Sequence, residues 1–474
     1  MNHTNEIKFW PFILTAILGS FTIVLSSSSL NIAIPYLAEN LQTSLDIVKW
    51  TITGFMLAMG ITAPLAAFIG ERISYKKLYI ISLTGFVTVS FLALFSDSIF
   101  MLIAIRIIQG LFGGMCIPAT MSTIYQVLPK NKQVTAISLW TLAPTLAPAI
   151  GPTISGFLIQ FFSWKAIFFI NIPLGIIAII MAAHYIPYYK MNNNPSFDFT
   201  GIFLSVLTSI SLLFAFSEGP IWGWSSPLLL SLLVIGVITF MLFIMWELRV
   251  SSPMLKLQTF QYPLYTFSLI CTTILNIVLY GCSLLTPIFL QKIQGLKPID
   301  AAVILLPASI LMAVIMPVIG KIYKKIGATP LIVAGILCSA IGFWNMSQLS
   351  ADSSHTYVRV FMAVIYIGFS LSMVPSSNAG MIILPKELTG YGSSMNNWTK
   401  QLAASMAVGI FTSLLTTRAS YHVKELSSSR IDLNNIKNTG FVMGINDVYF
   451  ISFIIILTAL PFSILLRKRK GKMI

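Results

Sequence analysis

Arg106 lies inside an apolar run near residues 99–121, and a permanent cation at that depth needs pairing, hydration or hydrogen bonds. It marks either a substrate or ion-coupling site, or a structural anchor that ties its span to polar groups of the first one. Those groups are Ser26, Ser27, Ser28, Ser29 and Asn31. A hydroxyl hydrogen-bonds in both directions but cannot cycle a carboxyl proton near neutral pH. Gln109, Asn276, Asn378, Asn396 and Gln401 are lesser polar candidates, whose interhelical bonds are often worth about 1 kcal/mol or less.

Glu71, Arg72, Lys76 and Lys77 share a short polar turn. The mixture suits a latch between helix ends; an ordinary basic turn would account for the lysines but not for Glu71. Pro144, Pro148 and Pro152 recur every four residues, near one helical face, with Gly151 and Gly156 beside them. Each proline removes an amide donor and crowds the preceding turn, so this segment is expected to bend and to approach a neighbour closely. Conformational change and static packing both fit that spacing.

Metal and covalent chemistry find no footing in the pattern. His3, His184, His355 and His422 form no ligand-spaced cluster, and Cys116, Cys271, Cys282 and Cys338 fall within apolar stretches as reduced packing residues. Without a nucleophile–base pair, a phosphate loop or a nucleotide-binding pattern, the expectation is no enzyme, no cofactor and no metal.

The elements that must position these residues are membrane spans. The chain has 474 residues, 56% hydrophobic and 9% charged, with mean hydropathy +0.87. Too few polar side chains remain to cover a water-soluble globule of that size. Apolar stretches lie near 10–33, 47–70, 77–95, 99–121, 134–160, 164–186, 199–218, 227–247, 264–290, 299–320, 329–349, 356–382, 398–420 and 446–466. The first reads as a span rather than a cleaved signal, because it runs on without a convincing cleavage site and similar stretches follow.

Fourteen spans put both termini on one side, and the distribution of charge selects the cytoplasm. That assignment places 19 of the 29 basic residues and five of the 14 acids inside, nine of each outside, and Arg106 within a span. The net +15 is thus topological, and no aromatic–basic interleaving points to nucleic acid. The terminal run Arg467, Lys468, Arg469, Lys470 and Lys472 suits anionic lipid headgroups. A polar connection near 421–445 is expected outside, as a flap or a tolerated loop. Trp222 and Trp224 are expected to anchor the outer interface.

Pro64 through Lys77 and Pro317 through Ala328 share a layout of proline, glycine, basic turn and next span. Two six-span repeats around a two-span insertion would produce it, as in transporters that alternate access between halves.

At this point the chain resembles the major facilitator superfamily, and within it the fourteen-span drug:proton antiporter branch. Leu25 to Pro35, LSSSSLNIAIP, resembles the branch's first-span LDxTIVNVALP element. Trp50, Pro64 and the turn Gly70–Lys77 follow in order, then Arg106-Ile107-Ile108-Gln109-Gly110, which matches RxxQG. Gly151 to Gly156 is similar to the antiporter motif GPxxGG with Ser155 at the penultimate glycine. Trp164, Phe168, Asn171, Pro173 and Gly175 fit WRxxFxxNxPxG, and Gln291, Gln294, Gly295, Pro307, Gly320, Asn397, Gln401 and Gly409 fit the second half. The departures fall on coupling positions. Ser26 stands where the branch commonly has an aspartate, Glu71 replaces the turn's aspartate, Ser74 its glycine and Tyr75 its next arginine, while Lys324 occupies an often acidic place.

The resemblance implies an all-α polytopic membrane protein, with a six-helix bundle over 1–190, two inserted spans over 191–256 and a second six-helix bundle over 257–474. It implies a secondary transporter of the cell membrane, exporting small amphipathic or drug-like compounds by proton antiport. Arg106, Gln109, Ser26 and Asn31 are its substrate or coupling candidates. Glu71, Arg72, Lys76, Lys77, Pro144, Pro148, Gly151, Pro152 and Gly156 are its gating candidates. Partners are a small-molecule substrate, protons or another coupling ion, and lipids. Ser26 leaves the proton carrier open, with Glu71, Glu218 and Glu247 as substitutes. It also leaves open an anionic metabolite or lipid-like cargo that completes the charge pair of Arg106, or a non-transporting sensor or scaffold.

Overall fold

The computed structural model of the chain describes residues 8–188, 198–251, 253–427 and 433–466. All regular structure among these residues is helical, as lipid demands of a backbone that must pair its own N–H and C=O groups. The helices are α1 (Phe9–Asn40), α2 (Leu45–Thr62), α3 (Leu65–Ile73), α4 (Tyr75–Ala93), α5 (Ile99–Val127), α6 (Lys130–Trp140) and α7 (Leu142–Phe161). They continue as α8 (Ala166–Phe169), α9 (Asn171–Tyr185), α10 (Phe199–Trp222), α11 (Pro227–Glu247), α12 (Pro263–Ile288) and α13 (Pro298–Ile326). The last are α14 (Ala328–Met346), α15 (His355–Met381), α16 (Lys386–Leu426), α17 (Leu433–Leu457) and α18 (Ala459–Leu465). Serine caps set several starts: Ser98 Oγ accepts from Met101 N at 3.2 Å and Ser354 Oγ from Tyr357 N at 3.1 Å.

Among the described residues, twelve helices are long and apolar enough to cross a membrane, and α2 with α3 forms a thirteenth candidate, bent by 57°. Pro64 stands at that bend, where its ring and missing N–H end the first helix. The remaining expected span, 134–160, is divided at Thr141 into α6 and α7.

The polar connection expected at 421–445 is not a loop. Helix α16 runs to Leu426 and α17 starts at Leu433, so Lys424, Glu425 and Lys437 are helical, while Arg430 and Asp432 lie outside the described residues. The physical reason is pairing across the two helices: Arg418 Nε donates to Asp447 Oδ2 at 2.6 Å, and His422 Nε2 lies 2.7 Å from the same oxygen.

The chain divides into two packed units. One comprises residues 1–215, 230–261 and 384–402. Its core joins Leu30, Val48, Ile105, Trp164 and Phe168 from α1, α2, α5 and the α8 region. Helices α2 and α5 touch through small residues: a β-carbon on Gly110 would meet the Phe55 carbonyl oxygen, and one on Gly114 the Met59 carbonyl oxygen.

The other unit comprises 216–229, 262–383 and 403–474. Here α14 and α15 approach through Gly335, Ser339 and Gly368, and Thr286 shares a 2.6 Å hydrogen bond with Tyr449. Trp222 is exposed as an interface anchor would be, whereas Trp224 packs on Gly219 and donates to Ser413 Oγ at 2.5 Å.

Candidate functional site

Arg106 is fully buried two turns into α5. Its Nε donates to the Thr51 carbonyl of α2 at 3.0 Å, and its Nη1 to both Ser26 Oγ of α1 and Gln109 Oε1 at 2.9 Å. Nη2 reaches the Ser26 carbonyl at 3.3 Å, and the guanidinium lies 4.0 Å from the centre of the Phe55 ring. Gln109 is turned toward Arg106 by the three-residue spacing of one helical face, and its Nε2 donates onward to Ser90 Oγ of α4 at 2.7 Å. Four helices thereby meet on one cation. All its described bonding partners are neutral: carbonyls, a hydroxyl, an amide and a ring face, each carrying part of the charge.

Ser26, at the position where the resemblance would put an aspartate, thus offers Arg106 a neutral hydroxyl and carbonyl. The other serines turn elsewhere: Ser27 Oγ bonds back to the Val24 carbonyl, and Ser28 Oγ reaches the Leu25 carbonyl at 3.1 Å and the Ala147 carbonyl of α7 at 3.2 Å. The side chain of Asn31 lies outside the described residues.

Helix α7 packs on α1 at Gly151, where a β-carbon would meet Ser28 Oγ. Ser155 Oγ, at the altered glycine of the antiporter-like motif, donates to the Gly151 carbonyl at 2.7 Å and so bonds within its own helix. Gly156 faces open space and Pro144 is exposed. The side chains of Pro148 and Pro152 lie outside the described residues.

The α3–α4 turn holds a second cluster. Glu71 is buried; Tyr391 of α16 donates to its Oε2 at 2.5 Å, and Lys256 Nζ stands 3.6 Å from that oxygen. Lys256 also lies 4.6 Å from the centre of the Tyr391 ring, so acid, cation and aromatic face form one clasp. Ser74 follows with φ +91°, a conformation that favours glycine, and its Oγ accepts from Lys77 N at 3.2 Å. Tyr75, in place of an arginine, is buried against Gly70 and Gly390, with its hydroxyl 3.3 Å from the Ala67 carbonyl oxygen.

Of the residues expected to form a latch, Glu71 lies in this cluster with Tyr391 and Lys256. Lys76 Nζ donates to the Ala183 carbonyl of α9 at 2.6 Å, Lys77 lies 5.6 Å from the centre of the Tyr188 ring, and Arg72 is exposed. Successive residues after the turn fall on different faces of α4, so Lys76 and Lys77 turn to different neighbours. Lys256 and Tyr391 carried no signal beyond topology. Tyr391 could have been placed on a helix from Pro385 and Glu387, a proline before the first turn and an acid within it, which mark the start of α16 twelve residues ahead of the apolar run.

Residues 16–408 match the sequence profile of the Major Facilitator Superfamily. The chain is 30% identical to the uncharacterized MFS-type transporter YhcA of Bacillus subtilis, over 86% of this chain and 77% of that protein. It is 29% identical to the lincomycin resistance protein LmrB of Bacillus subtilis, over 87% and 86% of the two chains, and 29% to the multidrug export protein EmrB of Escherichia coli, over 87% and 81%. Its fold is similar to the crystal structure of the human organic anion transporter MFSD10 (TETRAN), with TM-score 0.62, 10% identity and coverage of 95% and 99%.

Proposed function

Because the chain belongs to the Major Facilitator Superfamily, we propose that it is a secondary active transporter that exports small amphipathic or drug-like compounds in exchange for protons. The relatives named for lincomycin resistance and multidrug export support that cargo class. The observation that carries the reading is the Arg106 network. A buried cation joins α1, α2, α4 and α5, the first helices of a proposed six-helix bundle over 1–190, and costs too much at mid-span to serve as filler. Two inserted spans over 191–256 and a second bundle over 257–474 complete the proposed architecture.

In this reading the cavity opens alternately to the two sides of the cell membrane, and a proton gradient changes the populations of the two states. Both termini face the cytoplasm. Ser26 removes the usual carboxylate from beside Arg106, so the exchanged proton resides elsewhere.

The test is flux of a hydrophobic dye in proteoliposomes under separately imposed pH and sodium gradients. Accelerated movement under the pH gradient alone is expected. Flux that ignores both gradients would overturn antiport, and no protein-dependent flux of any amphipathic cation, anion or neutral compound would overturn export.

A further inference from the structure

Two buried carboxyl groups meet where the inserted spans α10 and α11 come together. Asp198 precedes α10, and its Oδ1 accepts from Gly201 N and Trp246 Nε1, both at 2.8 Å, while its Oδ2 accepts from Met254 N at 3.3 Å. Glu247 closes α11, and its Oε2 accepts from Leu255 N at 3.1 Å. The other oxygen, Glu247 Oε1, is buried and has no hydrogen-bond partner among the described residues; Glu247 itself is 4% exposed.

That unpartnered oxygen and Asp198 lie on one side of Gly201. A β-carbon built on Gly201 would meet both Asp198 Oδ2 and Glu247 Oε1, the latter at 2.8 Å, so the two oxygens border the same small space and Gly201 is needed to leave it open. Two ionised carboxylates at such range repel each other, and burial strengthens the repulsion. Among the described residues, the charged and titratable groups that face Glu247 are Asp198 and, from α16, Tyr391; the nearest cation along the chain, Arg249, is exposed, and Lys256 turns to Glu71.

We propose that Asp198 and Glu247 form a proton-binding site that holds one proton on Glu247 Oε1, donated toward Asp198 Oδ2. Asp198 is the anionic partner, because three N–H groups already donate to it. Glu247 is the acid, because one oxygen has a single donor and the other has none. The bound proton converts a repulsive pair into a hydrogen bond. It thereby fixes the backbone at Met254 and Leu255, the two residues that lead directly into Lys256 of the Glu71–Tyr391 clasp. As the seat of an exchanged proton this site rests on the antiport reading, whereas its occupancy by a proton does not.

The test is infrared difference spectroscopy of the purified full-length protein across a pH step, with no cargo and no gradient. The wild type is expected to show the carbonyl stretch of a protonated carboxyl at the acidic end and its loss at the alkaline end. Glu247→Gln, whose amide donates to Asp198 in the proton's place, is expected to lose that band and to release one proton fewer per molecule in an indicator-dye titration. Asp198→Asn, which cannot act as the anionic partner, is expected to lose the same band and guards against a failure specific to the first variant. A band and a proton count unchanged in both variants, or a wild type with no such band, would overturn the site. The proton is read without transport, so a failed flux assay leaves this result standing and a missing band leaves the export reading standing.

Discussion

Arg106 sets the terms at the scale of single residues, because its environment decides what a change there would mean. Arg106→Ala strips the donor from Ser26 Oγ and Gln109 Oε1, each at about 1–3 kcal/mol when left unpaired in a dry interior, while the Thr51 carbonyl keeps its place in the α2 ladder. The expected outcome is an inserted but less heat-stable protein with no gradient-driven flux, checked by melting and dye transport. Arg106→Lys recovers little, since one ammonium cannot reach four acceptors arranged around a planar fork. Near-normal transport by Arg106→Ala would remove this residue from the mechanism. Ser26→Asp places a carboxylate where a hydroxyl now lies 2.9 Å from Nη1. It introduces an acid that can exchange a proton, and flux measured from acidic to alkaline pH should become more steeply dependent on pH; an unchanged profile would disconnect the two positions. Ser26, Arg106 and Gln109 were legible in the sequence because their polarity stands out in apolar runs. The Thr51 carbonyl and the Phe55 ring were not, since a backbone acceptor leaves no mark in a sequence and phenylalanine is everywhere in this one.

Elements meet through turns and small residues, and the turn at Ser74 carries measurable strain. Ser74 and Gly327 stand at two turns of similar sequence layout, with φ of +91° and +84°. The turn at Ser74 therefore keeps a glycine-like backbone although its glycine is gone, which answers what the substitution did to its geometry. Ser74→Gly removes a strain of about 1–3 kcal/mol and loses a cap worth only a few tenths over glycine, so the melting temperature should rise. A fall would mean that the Ser74–Lys77 cap outweighs the strain. Gly110→Ala acts oppositely, because its methyl group would meet the Phe55 carbonyl oxygen where α2 and α5 cross. A loss of about 1–3 kcal/mol is expected from such overpacking, read as a lower melting temperature with insertion retained. Span positions followed from apolarity alone. The helical stretches 421–426 and 433–445 did not, because they rest on pairing of Arg418 and His422 with Asp447 rather than on local hydropathy, whereas the early start of α16 is marked locally by Pro385 and Glu387.

At the scale of the whole molecule, one cluster bears on the orientation of the chain. Glu71 follows the second expected span, Asp198 the sixth, Lys256 the eighth, which Glu247 ends, and Tyr391 the twelfth. Connections after even-numbered spans must share a side if the count of fourteen holds, and the Glu71–Tyr391–Lys256 clasp brings three of them together. The packing is thus consistent with the alternation inferred from apolar runs. The positive-inside rule chooses the side through Arg72, Lys76, Lys77, Lys256 and Lys321. The expected outcome in sealed right-side-out cells is that cysteines at positions 76 and 324, in a background without the native cysteines, resist an impermeant label. Cysteines at 352 and 425 should react with it, and labelling at 76 before permeabilisation would refute the orientation. The clasp itself adds a test of conformational balance. Tyr391→Phe removes the hydroxyl that donates to Glu71 Oε2 yet keeps the ring against Lys256, so the ion pair remains while the shortest bond is lost. Glu71→Gln removes the charge that holds Lys256. If the clasp stabilises one state of the transport cycle, Glu71→Gln should shift the distance between spin labels placed at the ends of α3 and α16 more than Tyr391→Phe does, and should slow flux without preventing insertion. Equal distances in wild type and both variants, with unchanged flux, would leave Glu71 a buried structural acid and the turn an ordinary basic connection.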